Sequence, residues 1–451
     1  MALRLASVRH DPRWAPKFVN GRAARKAAER RPPVKLRRAG QGCGRAGEGP
    51  ALARKVAAYF VGAVAQEAEW ATFAWTLALG ISHAVVMLTI PVIGAWADRH
   101  AAKKRALMFS TVGCVLATAA LSTVGPGAVV LGMVLVVISN VFFSWGESLI
   151  AAFLPELARP EALGKVSGWG WSFGYLGGML ALGLSLAYVL WAKAQGQSAA
   201  DFVPVTLWIT AILFGVSALV TFGLLRERAT PGEAKGQWKG WRNALGQLGR
   251  TLREARDYTD FMWLLGCAVA YQGGVAVAIA LAAIYAEQVI GFVQQETMVL
   301  IFVLNIAAAL GAFGFGYGQD RMGHKRALAI TLLGWILTCV IAALTTSKGG
   351  FWVAAAIAGF CMGSSQSAGR AMAGLFAPTA QLAEFYGLWA FATRLASILG
   401  PVSYGAITWA TGGNQRIAIA STALLFVAGL LLLMPVNVAR GRAKAVAASA
   451  A

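Results

Sequence analysis

The sequence predicts an all-α integral membrane protein, a bundle of transmembrane helices in two related halves. Three observations carry this reading. Of 451 residues, 58% are hydrophobic and 13% charged, against roughly 45–50% and about 25% in a soluble domain. Eleven long apolar runs recur along the chain, and the charge is confined to the segments between them. An ordinary soluble enzyme is excluded, as is a disordered chain over most of the length.

The runs cover approximately 71–96, 105–124, 127–152, 167–191, 202–225, 260–286, 295–318, 326–345, 351–376, 383–409 and 416–437. Most reach the roughly 17–25 residues that span a bilayer, and the longer ones accommodate by tilting. They lack the two-residue alternation of barrel strands, so they are helices.

The loops fix the orientation. One set carries Arg99, Lys103, Lys104 and Arg105, then Arg159 and Lys165, then eight Lys and Arg between 226 and 256, then Arg321, Lys325 and Arg326, then Arg440, Arg442 and Lys444. The alternate set carries Lys193, Lys348 and Arg416. Positive charge is retained on the cytoplasmic side. The first set and the C-terminus are therefore expected in the cytoplasm, with the chain in the cell inner membrane.

The net charge of +21 does not indicate a nucleic-acid partner, because +12 of it comes from residues 1–55, where fifteen Lys and Arg face Asp11, Glu29 and Glu48. Cys43, Cys114, Cys267, Cys339 and Cys361 show no paired spacing, and the four histidines form no cluster. No metal or cofactor is expected, and no nucleophile–base pair or phosphate loop is visible.

The chain is internally duplicated. Gly94-Ala-Trp-Ala-Asp98-Arg99 leads into a basic cluster, and Gly316-Tyr-Gly-Gln-Asp320-Arg321 leads into another, 222 residues later. Pro155 and Pro378 repeat at a spacing of 223. Two landmarks at nearly one spacing indicate two copies of one unit, a common transporter plan. The expected division is an atypical basic segment at 1–55, expected to be disordered, a first helical half at 56–225, a basic cytoplasmic linker at 226–259, a second half at 260–437 and a cytoplasmic tail at 438–451.

These motifs resemble the major facilitator superfamily. Within it, Phe153-Leu-Pro-Glu-Leu-Ala158 and Lys165-Val-Ser-Gly-Trp-Gly-Trp-Ser-Phe-Gly-Tyr-Leu-Gly-Gly178 resemble the vacuole-effluxer-like branch, as do Gln366-Ser-Ala-Gly-Arg370, Glu384-Phe-Tyr-Gly387 and Gly400-Pro-Val-Ser-Tyr-Gly405. The resemblance covers about 57–437. It implies two six-helix halves that rock about a central site, carrying small solutes, amino acids among them, across a lipid bilayer by alternating access. A monomer is expected. The resemblance also implies a conformational latch from Gly94, Asp98, Arg99, Gly316, Asp320 and Arg321. Each aspartate would meet the N-terminus of a helix from the other half, Asp98 the helix starting near Leu382 and Asp320 the one starting near Ser167.

Three departures stand out. Ile150-Ala151-Ala152 replaces an aromatic-Asn-Ala triplet. His100-Ala-Ala replaces a usual glycine, so a looser turn is expected after Arg99. The family's first helix has no counterpart before Ala57 and is expected to be missing or truncated. The Arg-, Ala-, Gly- and Pro-rich segment 1–55 reads as an out-of-frame or misassigned translation in its place.

Glu147 is the acid that lies well inside an apolar run, where a carboxylate faces a cavity or a partner. It is a candidate proton or substrate-amine site. Arg394 is a candidate for a substrate carboxylate, or for pairing with Glu147 or Glu384. Arg370, Gln272, Gln366, Asn140 and Tyr175 complete the candidate solute or proton pathway, against a plainer role in interhelical hydrogen bonding. Two other classes compete: a non-transporting receptor or scaffold on the same fold, and a membrane-embedded enzyme. The enzyme would need several intramembrane acids or histidines within reach of one another.

Overall fold

The structure, a computed structural model, describes residues 71–125, 127–227, 249 and 252–450. Among them the long helices are α1 (Ala71–Arg99), α2 (Lys103–Ala120), α3 (Val129–Ala152), α4 (Leu163–Ala194), α5 (Ala199–Leu224), α6 (Thr259–Tyr285), α7 (Gln294–Met322), α8 (His324–Leu344), α9 (Lys348–Phe376), α10 (Leu382–Ala410) and α11 (Gln415–Leu433). The described residues form no strand. Each helix falls on one of the eleven apolar runs, and nine are long and apolar enough to cross a membrane. The two exceptions, α9 and α10, are each 29 residues long. They are diluted by inward-facing polar residues, among them Ser364, Ser365, Ser367 and Arg370 on α9 and Glu384 on α10, all buried.

Within the first half, α3 packs on α1 and α2, and α5 on α2 and α4. Within the second, α6 packs on α10 and α11, α8 on α9 and α11, and α7 on α9. The halves meet along two seams, α10 against α1 and α3, and α4 against α7 and α9. Side chains are small where the seams are tightest. A Cβ on Gly168 would overlap the carbonyl of Ala312, and one on Gly316 would lie 3.1 Å from the Gly168 Cα. Glycine at these positions lets α4 and α7 touch backbone to backbone.

The turn after Arg99 is not loosened. Ala101 takes a positive φ of 44°. The Ala102 N–H donates to the Ala97 carbonyl at 2.9 Å and the Ala101 N–H to the Asp98 carbonyl at 3.3 Å. This is the bonding pattern of a glycine-terminated helix, made here with alanine. At the matching place in the second half, Gly323 takes φ 91° without strain.

Within the expected tail at 438–451 the chain forms a helix, α12 (Val438–Ala450). It is bound at two places, the start of α6 and the turn before α10. Arg440 forms a bidentate pair with Asp260, Nε–Oδ2 2.8 Å and Nη2–Oδ1 2.7 Å. The Asn437 N–H donates to the same carboxylate at 2.7 Å, and the Ser449 hydroxyl accepts from the Thr379 N–H at 2.9 Å. The expectations for residues 1–55 and the missing first helix lie outside the described residues, as does most of the linker.

Candidate functional site

The duplicated motifs converge on one end of the bundle, where the two seams close. Asp98 ends α1, and its carboxylate accepts from the Glu384 N–H at the start of α10, at 2.8 Å. Asp320 ends α7 and accepts from the Gly164 and Lys165 N–H groups at the start of α4, each at 2.9 Å. The first turn of a helix presents unsatisfied N–H groups and the positive end of its dipole, so both contacts favour an ionised acid. The α4 target lies a turn before Ser167, because α4 begins at Leu163 rather than at the start of its apolar run. Gly94 faces the Ala383 carbonyl so closely that any side chain would overlap it. Arg99 is half-buried and Arg321 exposed.

Hydrogen bonds extend both contacts. Asp98 is buried beside Lys103, whose ammonium is 3.9 Å away and also pairs with Glu156. Lys103 is fully buried, although by sequence it counts as a solvated loop cation. Beside Asp320, the Gln319 amide donates to the Gly164 carbonyl and to the Ser367 hydroxyl, both at 2.9 Å. The Ser167 hydroxyl reaches the Ser367 carbonyl at 2.9 Å. Gln319 and Ser367 are absent from the sequence-based candidates. Their signal was position alone, Gln319 inside the second motif and Ser367 inside the quoted Gln366–Arg370 stretch.

Deeper in the bundle, Glu147 of α3 and Arg394 of α10 pair across the halves, Oε2 to Nη2 at 2.8 Å. Of the two partners open to Arg394 by sequence, the structure selects Glu147. The pair keeps access to solvent-sized space, with 35% of the Glu147 side chain and 18% of the Arg394 side chain exposed. Arg370 of α9 is buried, donates to the Glu147 carbonyl at 3.3 Å and lies 5.9 Å above the Trp171 ring. Two arginines of the second half thus meet Glu147 of the first, one at its carboxylate and one at its backbone carbonyl.

The remaining candidates divide. Gln272 of α6 and Gln366 of α9 form a reciprocal amide pair, 2.7 and 3.0 Å, which ties two helices of the second half. Asn140 donates to the Ser82 hydroxyl at 2.5 Å and so links α3 to α1 within the first half. Both arrangements match interhelical hydrogen bonding. Tyr175 is buried on α4 beside Trp171 and packs with it against Ala308, Ala309 and Ala312 of α7.

A helical bundle with paired carboxylate-to-helix contacts at one end and an ion pair across its halves is a multi-pass membrane transporter of the major facilitator type. Residues 26–446 match the vacuole effluxer Atg22-like family, and the chain belongs to that family. The match reaches about thirty residues upstream of Ala57, into the segment that the sequence reading sets apart. An uncharacterized MFS-type transporter of Bacillus subtilis, YxiO, is 26% identical over 359 residues, 79% of this chain and 82% of its own length. Autophagy-related protein 22-1 of Penicillium rubens is 23% identical over 476 residues, 87% of this chain and 79% of its own. In structure, the chain is similar to the human organic anion transporter MFSD10, with a TM-score of 0.67 at 16% identity, covering 85% of this chain and 89% of that one. At this identity the likeness is one of fold.

Proposed function

We propose that the protein is a secondary transporter that moves small polar solutes, amino acids among them, by alternating access, and that Glu147 and Arg394 form its switch. The observation that carries this is the Glu147–Arg394 pair, because it joins α3 of one half to α10 of the other at a partly accessible position. Protonation of Glu147, or a solute carboxylate competing for Arg394, would release the pair and free the halves to move. A solute carboxylate would find Arg394 and Arg370 close to one acid, and a solute amine would find Glu147. Asp98 and Asp320 act as the latch that holds the charged end shut. We read the end that carries the basic loops as the cytoplasmic one, because positive charge is retained on that side, and the arrangement described as outward-facing.

The test uses the reconstituted protein with a metabolite panel, chosen by comparing export and import in a deletion strain. Glu147→Gln should abolish pH-dependent transport while insertion into the membrane stays intact. Wild-type pH dependence in that variant removes Glu147 from the mechanism. Failure to move any solute across the panel would favour a receptor or scaffold role.

A further inference from the structure

A cavity of about 140 Å³ lies among α6, α7, α8, α9 and α11, with Trp171 and Tyr175 of α4 completing its wall. None of the described residues that line it is charged. Its surface is made of aromatic rings, Trp335, Phe351 and Phe426 among them, set between small side chains such as Ala282 and Ala355. Six lining residues carry side-chain amides or hydroxyls. Tyr175 lies beside Trp171, the Tyr285 hydroxyl donates to the Ala342 carbonyl at 2.8 Å, and the other four each spend a donor inside the protein. The Thr338 hydroxyl donates to the Gly334 carbonyl, the Thr422 hydroxyl to Ala418 and the Asn305 amide to Ile301. Gln366 is engaged by Gln272. A charged ligand would lose its hydration there and find no opposite charge among the described lining residues, at a cost of several kcal/mol. Apolar cavities near 150 Å³ accept benzene-sized molecules, and aromatic walls favour a ring.

We propose that this cavity is a binding site for a small, uncharged, ring-sized apolar molecule, separate from the Glu147–Arg394 pair. Its wall draws on both halves, with α4 on one side and the second half on the other. An occupant therefore contacts both and holds them in the arrangement described here. The binding claim stands apart from the transport reading, since it needs only the cavity.

The test labels the full chain in lipid nanodiscs with trifluoromethyl-phenyl-diazirine, a neutral aromatic photoprobe, with and without excess toluene. Adducts are expected at Ile279, Leu304 and Met362 of the cavity wall, and toluene should remove them. Adducts at Leu424, which is 67% exposed on α11, should persist as the measure of labelling from the surroundings. Absence of adducts on the wall, or adducts there that toluene leaves unchanged, overturns the proposal. Ala282→Phe and Ala355→Phe fill the cavity from opposite sides. In whichever variant elutes as a folded protein, loss of the toluene-sensitive adducts supports the site and their retention refutes it. Glu147→Gln should keep them, and their loss in that variant would show that the cavity is not a separate site.

Discussion

Asp98 and Asp320 hold their helix partners through charge as well as hydrogen-bond geometry, and asparagine separates the two contributions. An anion at a helix N-terminus is worth about 0.3–1 kcal/mol when exposed and up to about 2 kcal/mol when partly buried. Asp98→Asn or Asp320→Asn should therefore shift the population several-fold toward the state open at the charged end, read as faster modification of cysteine probes placed there. Unchanged accessibility in both variants would argue against the latch. Ala101 offers an opposite test. A left-handed alanine costs roughly 1–2 kcal/mol, and glycine's greater freedom in the unfolded chain returns part of that. Ala101→Gly should raise the stability by up to about 1 kcal/mol, seen as a higher melting temperature in detergent, and a lower one would mean that Ala101 is not strained. The two aspartates were legible in the sequence because they repeat with their flanking Gly and Arg. The Glu147–Arg394 pair was legible only as one of several pairings, since the residues are 247 positions apart.

Among the elements, the long helices were the most legible, because a run of apolar residues in a bilayer has no other low-energy conformation. Their ends were less so. α4 starts four residues before its apolar run, at Leu163, in a segment whose polarity hides the helix. α12 was missed for the same reason. Its sequence, VARGRAKAVAASA, is short and basic, and its helix is held by tertiary bonds to Asp260 and Thr379. Those bonds tie α12 to the turn at Thr379–Gln381, which runs directly into α10, where Asp98 accepts from the Glu384 N–H. The Arg440–Asp260 pair is charge-assisted and bidentate, with the Asp260 carboxylate buried and the Arg440 side chain open to solvent. Arg440→Ala should undock α12, which trypsin would report as faster cleavage after Arg442 and Lys444. Equal cleavage rates would mean that Asp260 is not what holds the helix.

At the scale of the molecule, the seam of α4 against α7 and α9 must part if the charged end opens. Ser167 and Ser367 face each other across it, hydroxyl to carbonyl at 2.9 Å. A Ser167→Cys, Ser367→Cys protein with its native cysteines replaced should lose transport on oxidation and regain it with a reductant. Transport that continues while the bond is formed would mean that this seam does not move. The same movement would separate Glu147 from Arg394 and α4 from the aromatic cavity of the second half.

The sequence by itself determined the class of the molecule, the positions of eleven helices among the described residues and the duplication that pairs Asp98 with Asp320, and its basic loops set the expected orientation. Each of these follows from local chemistry: apolar runs long enough for a bilayer, cations kept to one side, and a motif repeated at nearly constant spacing. Tertiary structure alone decided which acid Arg394 meets, that Lys103 is buried in an ion pair, that Gln272 and Asn140 tie helices within a half, and that the basic tail folds onto the bundle. These outcomes depend on how helices distant in sequence are rotated against one another. In a uniformly apolar helix that rotation is set by close packing and a few polar contacts, which leave no periodic trace in the sequence.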